Sequence, residues 1–349
     1  MIVGCNNEIT EVHYSGYTID KIYACGGQLV YEGGHDYSRD YLTFTATGDR
    51  KGYMKLTRNL NNNEWVEYWT DLSHSWERIS NNTSDITARI PLMNGPVKIR
   101  GIIKSSVGFI THYQQEPSLE EIHFDAAGNI MSLFYGDDFI GKTSFPSGII
   151  QCCYNMFRDL YIDNAKNLIL PATTLPSICY MYMFRDCKSL KTAPDLPSTA
   201  LTDYCYTAMF RGCTSLTKAP ALPASVLADK CYQYMFLDCA SLTTAPELPA
   251  TVLADSCYQN MFYGCASLTT APILSATTLQ RQCYQYMFFG CTNLNYIKCL
   301  ATNISASYCT YLWAFGVSLS GTFVKAEGMT GWPRGDNGIP NEWSVENNN

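Results

Sequence analysis

The sequence predicts a mixed α/β solenoid of 26-residue coils, preceded by an all-β, sandwich-like domain and a small β module. Three observations predict it. A cysteine recurs at Cys153, Cys179, Cys205, Cys231, Cys257, Cys283 and Cys309, every step 26 residues. A second cysteine follows eight residues later at Cys187, Cys213, Cys239, Cys265 and Cys291. Met-Phe pairs lie between the two, at 183–184, 209–210, 235–236, 261–262 and 287–288. Self-similarity at a fixed period of this length marks a stack of like coils.

Taken in order, residues 1–34 form a first unit. Ile9, Val12 and Tyr14, then Ile19, Ile22, Tyr23, Leu29, Val30 and Tyr31 around Gly26-Gly27, read as short strands with a hairpin. Such a piece is too small to hold a core alone, and Gly33-Gly34 reads as its linker. Residues 35–150 read as a β-sandwich-like domain. Leu42, Phe44 and Ala46 alternate with threonines, and Val97, Ile99, Gly101 and Ile103 alternate again. Between them Trp65, Tyr68, Trp69 and Trp76 are broken by Asn61-Asn62-Asn63 and Asp71.

Residues 151–315 hold about seven coils. In the clearest one, Leu253, Cys257 and Met261 recur at i, i+4, i+8, which predicts one face of a short helix. Gly264 stands where a left-handed residue would end that helix; Gly212 and Gly290 match it, and Asp186 and Asp238 replace it. Ser267-Leu268-Thr269-Thr270 then extends to Pro272, which excludes helix and suits an exposed or edge position. One coil cannot fold alone, so stacking must bury both its sides and each end needs a cap. Trp313 and Ala314 replace Met-Phe in the last coil, and residues 316–349, rich in Gly, Pro and Trp, read as the C-terminal cap.

Composition narrows the function. With 16% charged residues and a net charge of -7, the chain has no basic footprint for nucleic acid. No apolar run reaches membrane-spanning length, so no membrane insertion is expected. The start, Met-Ile-Val-Gly-Cys-Asn-Asn-Glu, has neither a basic nor a long apolar signal region, so secretion by the ordinary route is not expected. Sixteen cysteines suggest disulfides, but two cysteines eight apart on a helix lie about 12 Å apart, beyond disulfide reach. They read as a ladder of small buried hydrophobes, with cross-coil disulfides or metal as alternatives. Zinc needs four converging ligands, and no histidine joins these cysteines.

No metal, cofactor or catalytic residue is expected. His13, His35, His74, His112 and His123 are scattered outside the solenoid, and Gly136-Asp137-Asp138 reads as a turn, not an acid pair. No phosphate loop, nucleophile elbow or dinucleotide fingerprint occurs. The ladder Tyr180, Tyr206, Tyr232, Tyr258, Tyr284 reads as a packing spine with hydroxyls at the rim, against the alternative of sugar stacking. A partner would be read at the variable positions Lys191, Asp195, Lys218, Glu247, Ile273 and Lys298 on the strand side, and at Tyr182, Tyr234 and Tyr286 beside the helix. The plainer alternative is that these form a solvated face.

The stretch from Leu222-Pro223-Ala224 through Ala245-Pro246 resembles the leucine-rich repeats of the Bacteroides surface protein A type. Residues 128–139 and the ending from Gly321-Thr322-Phe323 to Asn341-Glu342-Trp343 resemble flanking pieces of that group. The first repeat departs by one residue fewer before Met156-Phe157, with Tyr161 for its second cysteine, and Leu274-Ser275 replaces Leu-Pro. Such proteins occur on gut bacteria as adhesins and in gut (crAss-like) bacteriophages as virion proteins. The opening Ile19-Asp20-Lys21-Ile22-Tyr23 with Gln28-Leu29-Val30-Tyr31-Glu32 is similar to modules that fix phage fibres to a particle.

The resemblance therefore implies a non-enzymatic phage head or tail fibre on the virion surface, assembled in the host cytoplasm. Val12, Tyr14, Ile19, Ile22, Tyr23, Leu29, Val30 and Tyr31 would anchor it to capsid or tail proteins. The solenoid would meet a bacterial surface glycan or protein, in a homo-oligomer, a dimer or trimer. The alternative it implies is a secreted bacterial adhesin at the cell surface. A glycan-degrading enzyme would need a catalytic pair that the sequence lacks.

Overall fold

A computed structural model describes four short strands between residues 13 and 32, and residues 39–47, 52–82, 89–92, 95–105, 107–110 and 122–348. The first strands pair in antiparallel twos: β1 (His13–Tyr14) with β2 (Tyr17–Thr18), and β3 (Lys21–Tyr23) with β4 (Leu29–Glu32). Tyr14, Ile22, Tyr23, Leu29, Val30 and Tyr31 of the expected anchor lie in these strands. Val12, Ile19, Gly26-Gly27 and Gly33-Gly34 lie outside the described residues.

The next region is built on β5 (Leu42–Ala46), β6 (Gly52–Leu56), β7 (Trp65–Thr70), β8 (Glu77–Arg78), β9 (Ile90–Leu92), β10 (Pro96–Ile102), β11 (Phe109–Ile110) and β12 (Phe124–Asn129). Period-2 alternation sends Leu42, Phe44, Val97 and Ile99 inward, while Thr43, Thr45, Lys98 and Arg100 stay at the outer side. A large sheet contains the order β12-β5-β10-β7-β8, and a small one runs β11-β6-β9. The sheets share a core: Phe44 of the large sheet lies edge-on to Phe109 of the small one, ring centres 5.3 Å apart.

The expected domain is all-β and sandwich-like; the large sheet is mixed, with antiparallel and parallel pairs. The first coil supplies β13 (Ile162–Asn164) and β14 (Leu168–Ile169), and both pair in parallel with β12. The sheet of the β region thus runs on into the solenoid, and Phe157 of the first coil closes on Phe44 at 5.9 Å. Between them sits α1 (Ser132–Tyr135), followed by a 3-10 turn over Gly136–Phe139. In that turn Asp138 is exposed, and Asp137 accepts from Tyr41 and from Arg100.

The helix expected in each coil does not form; the solenoid is corrected from mixed α/β to turns and short strands. Its place is taken by a run of turns. Ser256, Asn260 and Gly264 have φ of 54°, 57° and 73°, so every fourth residue is left-handed and interrupts helical geometry. The amides of Cys257, Gln259, Met261, Tyr263 and Cys265 bond back three residues. Those of Ser256, Tyr258, Asn260, Phe262 and Gly264 bond instead to carbonyls of Arg281, Cys283, Gln285, Met287 and Phe289 on the next coil. A helix would consume these amides internally and leave none to join the coils. A four-residue turn also returns i, i+4 and i+8 to one side, so the inward residues are those the spacing indicated. Cys257, Met261, Phe262, Cys265 and Leu268 are all fully buried.

Extended segments join the coils a second time through parallel bridges, such as Lys218 to Thr244 and Thr270 to Tyr296. At the C-terminal end they lengthen into a parallel sheet of β15 (Tyr296–Cys299), β16 (Thr322–Lys325) and β17 (Ser344–Asn347). Pro194, Pro220, Pro246 and Pro272 are buried between coils, not exposed, because the neighbouring Ala219 and Ala271 carry the lateral bonds there.

Two aromatic ladders fill the interior. Tyr180, Tyr206, Tyr232, Tyr258 and Tyr284 stack at 5.6 to 6.1 Å, and Phe184, Phe210, Phe236, Phe262 and Phe288 at 5.5 to 5.8 Å. The tyrosines are a packing spine, but the hydroxyls of Tyr180 and Tyr232 are buried without a partner and do not reach the rim. The second cysteines also join coil to coil. The thiols of Cys187, Cys213, Cys239, Cys265 and Cys291 donate to Phe carbonyls of the preceding coil at 2.9 to 3.1 Å. All fourteen described cysteines are free and buried. Trp313 ends both ladders, and Trp332 of the tail stacks on it at 5.5 Å.

Candidate binding surface

Lys191, Asp195, Lys218, Glu247 and Ile273 are exposed beside the extended segments, and Lys298 there is half-buried. Tyr182, Tyr234 and Tyr286 sit on the turn run, half-buried. The structure therefore does not join these nine residues into one site. The three tyrosines have φ of 60°, 59° and 55°, a strained region for an aromatic residue. Ala208, Asn260 and Leu312 share that position and that conformation, so the strain belongs to the turn repeat.

A row that sequence reasoning missed lies just beyond these tyrosines. Position by position along the stack it reads Arg158, Arg185, Arg211, Leu237, Tyr263, Phe289 and Phe315. The following residue reads Asp159, Asp186, Gly212, Asp238, Gly264, Gly290 and Gly316. The first half is ionic: Arg158 meets Asp159 at 3.1 Å and Arg185 meets Asp186 at 3.0 Å. Burial raises the Asp238 carboxyl above its ordinary value, with Asp186 adding to it and Arg211 opposing.

The second half is aromatic and uncharged. Tyr263 stacks on Phe289 at 4.7 Å, and Phe289 on Phe315 at 4.9 Å. Tyr286 lies edge-on to Phe289 and to Tyr311, and Tyr308 lies edge-on to Tyr311. Tyr308 is 62% exposed and Phe315 43%. The rows are held in place from below by the lateral amide bonds and by an amide ladder in which Gln233 donates to Gln259 and Gln259 to Gln285. The signal that would have found this row is the change from Arg to aromatic at one fixed position of the repeat.

Stacked rings cover one another's faces and turn their edges outward; the row runs along the stack like the teeth of a comb. Among the described residues no group of acids, histidines and cysteines could hold a metal ion. His123 approaches Asp163 at 2.7 Å, and Asp163 also accepts from Thr47. Burial works to raise the Asp163 carboxyl, but Thr47 and His123 outweigh it and lower it. No nucleophile stands in that pair. His74 is exposed, His13 lies in β1, and His35 and His112 lie outside the described residues. Among the described residues no helix is long and apolar enough to cross a membrane.

A stack of like coils, joined by lateral amide bonds and by two aromatic ladders, defines a repeat protein of the solenoid class. The BspA type Leucine rich repeat region matches residues 130–253 and 210–311, in 6 copies. Together these matches span more than half of the chain, which belongs to the BspA-type leucine-rich repeat family. No curated protein and no solved structure matches the chain. Nothing in the family match points to a phage particle.

Proposed function

We propose that this chain is a non-enzymatic surface adhesin whose solenoid presents the Tyr263–Phe289–Phe315 row to a protein on another surface. The row carries the reading. Six aromatic residues without a charge among them gather at the last coils, flanked by Gly264, Gly290, Ser267 and Asn293. Tyrosine with serine, glycine and asparagine is the composition of adaptable protein-recognition surfaces. Outward ring edges suit apolar side chains better than the flat side of a pyranose. BspA-type repeats, which resemble those of bacterial adhesins, support the same reading.

The test is adhesion of beads coated with the full chain to bacterial and epithelial cells. Replacing Tyr263, Phe289 and Phe315 by Ser should abolish retention, while Lys191→Ala with Lys218→Ala should leave it intact. The reverse pattern would move the site to the extended segments. Recovery of the chain in purified phage particles, and not in the cell-surface fraction, would replace the adhesin by a virion fibre.

A further inference from the structure

A crevice separate from the aromatic row lies where the β region meets the first coil. Thr57 and Arg58 line it from one side, and Tyr154, Asn155, Arg158 and Asp159 from the other. Its volume is about 540 Å³, in the range of small-molecule sites. Its two sides are tied together by backbone and ring: the Phe109 amide donates to the Met156 carbonyl at 2.8 Å, and the Phe109 ring stacks on Phe157.

The charges in the crevice are already matched. Arg58 donates to both carboxylate oxygens of Glu64 at 2.9 Å, and Arg158 is paired with Asp159. Two polar atoms are not matched. Asn155 Oδ1 is buried without a partner. Arg158 Nε lies 3.1 Å from Asp159 but is misaligned for a hydrogen bond, so its N–H has no acceptor. Buried polar atoms in this state call for an explanation. Asparagine is favoured at the φ of 55° found here, so the residue type alone is no signal. An unmatched acceptor and an unmatched donor on residues that line one crevice with Tyr154 are the signal.

We propose that this crevice binds one neutral sugar unit of a glycan. Hydroxyl groups both donate and accept, and so answer an unmet acceptor and an unmet donor together. An anion would satisfy donors alone and find no uncompensated positive charge; a cation would satisfy acceptors alone. Both unmatched atoms are closed to solvent, so the Asn155 amide and the Arg158 guanidinium turn outward to bond the hydroxyls together with Asp159, and the Tyr154 ring takes the apolar C–H face.

Saturation-transfer NMR on the full chain tests this with the methyl glycosides of glucose, galactose, mannose, fucose and N-acetylglucosamine, each alone. Phosphorus line width of inorganic phosphate serves as the anion control. At least one glycoside should receive saturation. Asn155→Gly keeps the left-handed backbone and removes the amide, and should weaken binding about tenfold, as loss of one hydrogen bond does. Tyr154→Ala should weaken it too, provided its near-ultraviolet dichroism matches the parent; if it does not fold, Asn155→Gly decides alone. The variant lacking Tyr263, Phe289 and Phe315 should bind the glycoside unchanged, so this site and the adhesin row fail separately. No saturation of any glycoside, unchanged binding by Asn155→Gly, or phosphate broadening that Asn155→Gly removes would each overturn the proposal.

Discussion

The carboxylate of Asp186 stands where a side chain on Gly212 would have to go. A Cβ built on Gly212 meets Asp186 Oδ1 at 2.2 Å, and one on Gly264 meets Asp238 Oδ1 at 2.5 Å. From Asp186 to Gly264 acid and glycine alternate, each acid leaning over the glycine of the next coil. At Gly290 the neighbour is itself glycine, and the nearest atom to an added Cβ is 3.9 Å away.

Gly290→Ala should therefore cost only the left-handed backbone, about 1 to 2 kcal/mol. Gly212→Ala carries the same backbone cost plus the clash, and should cost about 1 to 2 kcal/mol more. Adding Asp186→Ala to Gly212→Ala should return that excess. Denaturant midpoints of the three variants check it; equal midpoints for Gly212→Ala and Gly290→Ala would show that Asp186 yields freely.

Phe236 is fully buried between Phe210 and Phe262, whereas Glu247 is exposed. Phe236→Ala should cost about 3 to 5 kcal/mol, and Glu247→Ala less than about 0.5. Urea unfolding of the full chain, with slopes compared because repeat arrays can lose two-state behaviour, measures both. A Glu247→Ala as damaging as Phe236→Ala would invert the inside and outside of the coil.

The inner and outer faces of the coil were legible in the sequence because burial follows the 26-residue period at Cys257, Met261, Phe262 and Leu268. The backbone that carries them was not. A spacing of four fits a helix and a four-residue turn equally well. Ser256, Asn260 and Gly264, all tolerant of left-handed φ, spelled out the turn in one coil; Lys230 and Tyr234 at the same positions hid it in another. The aromatic row escaped because Arg158, Arg185 and Arg211 open its column and Leu237 interrupts it, so no single residue type marks the position. The crevice at Asn155 was invisible for a different reason: its two walls, at Thr57 and Asn155, are far apart in sequence.

Burial pushes the thiols of Cys205, Cys257, Cys291 and Cys299 up to about 12. The unfolded chain ionises these groups near about 8.5. Above that pH the unfolded state sheds protons that the folded state keeps, so stability is complete below about 8.5 and falls as pH rises toward about 12. Each thiol contributes about 1.4 kcal/mol per pH unit to that fall. Urea midpoints should drop steeply between about pH 8 and 10, and less so in Cys257→Ala. Alkylation at about pH 8 should spare the native stack and label most of the sixteen cysteines once denatured without reductant; labelling of only two or three would mean that they pair.

Glu64 responds to acid. Burial alone would raise its carboxyl, but Arg58 and the amides of Lys104 and Asn61 outweigh burial and hold it at about 2. A depressed carboxyl stabilises the fold above its ordinary value near 4.5 and loses that contribution as pH falls toward 2. Thermal unfolding should accordingly shift down between pH 4.5 and 2. Glu64→Gln should be less stable near neutral pH and flatter in that range; an unchanged acid profile would place the acid sensitivity elsewhere.

Half of the amides in each turn run point along the stack, from one coil to the next. A pull applied between the two ends of the array meets these bonds one coil at a time, not all at once. The array should thus yield in steps of 26 residues, each releasing on the order of 90 Å of chain at about 3.4 Å per residue. On the proposed adhesin reading, such an array would lengthen under flow before the contact at its last coils gave way, so the bonds that hold the coils in register would also absorb load.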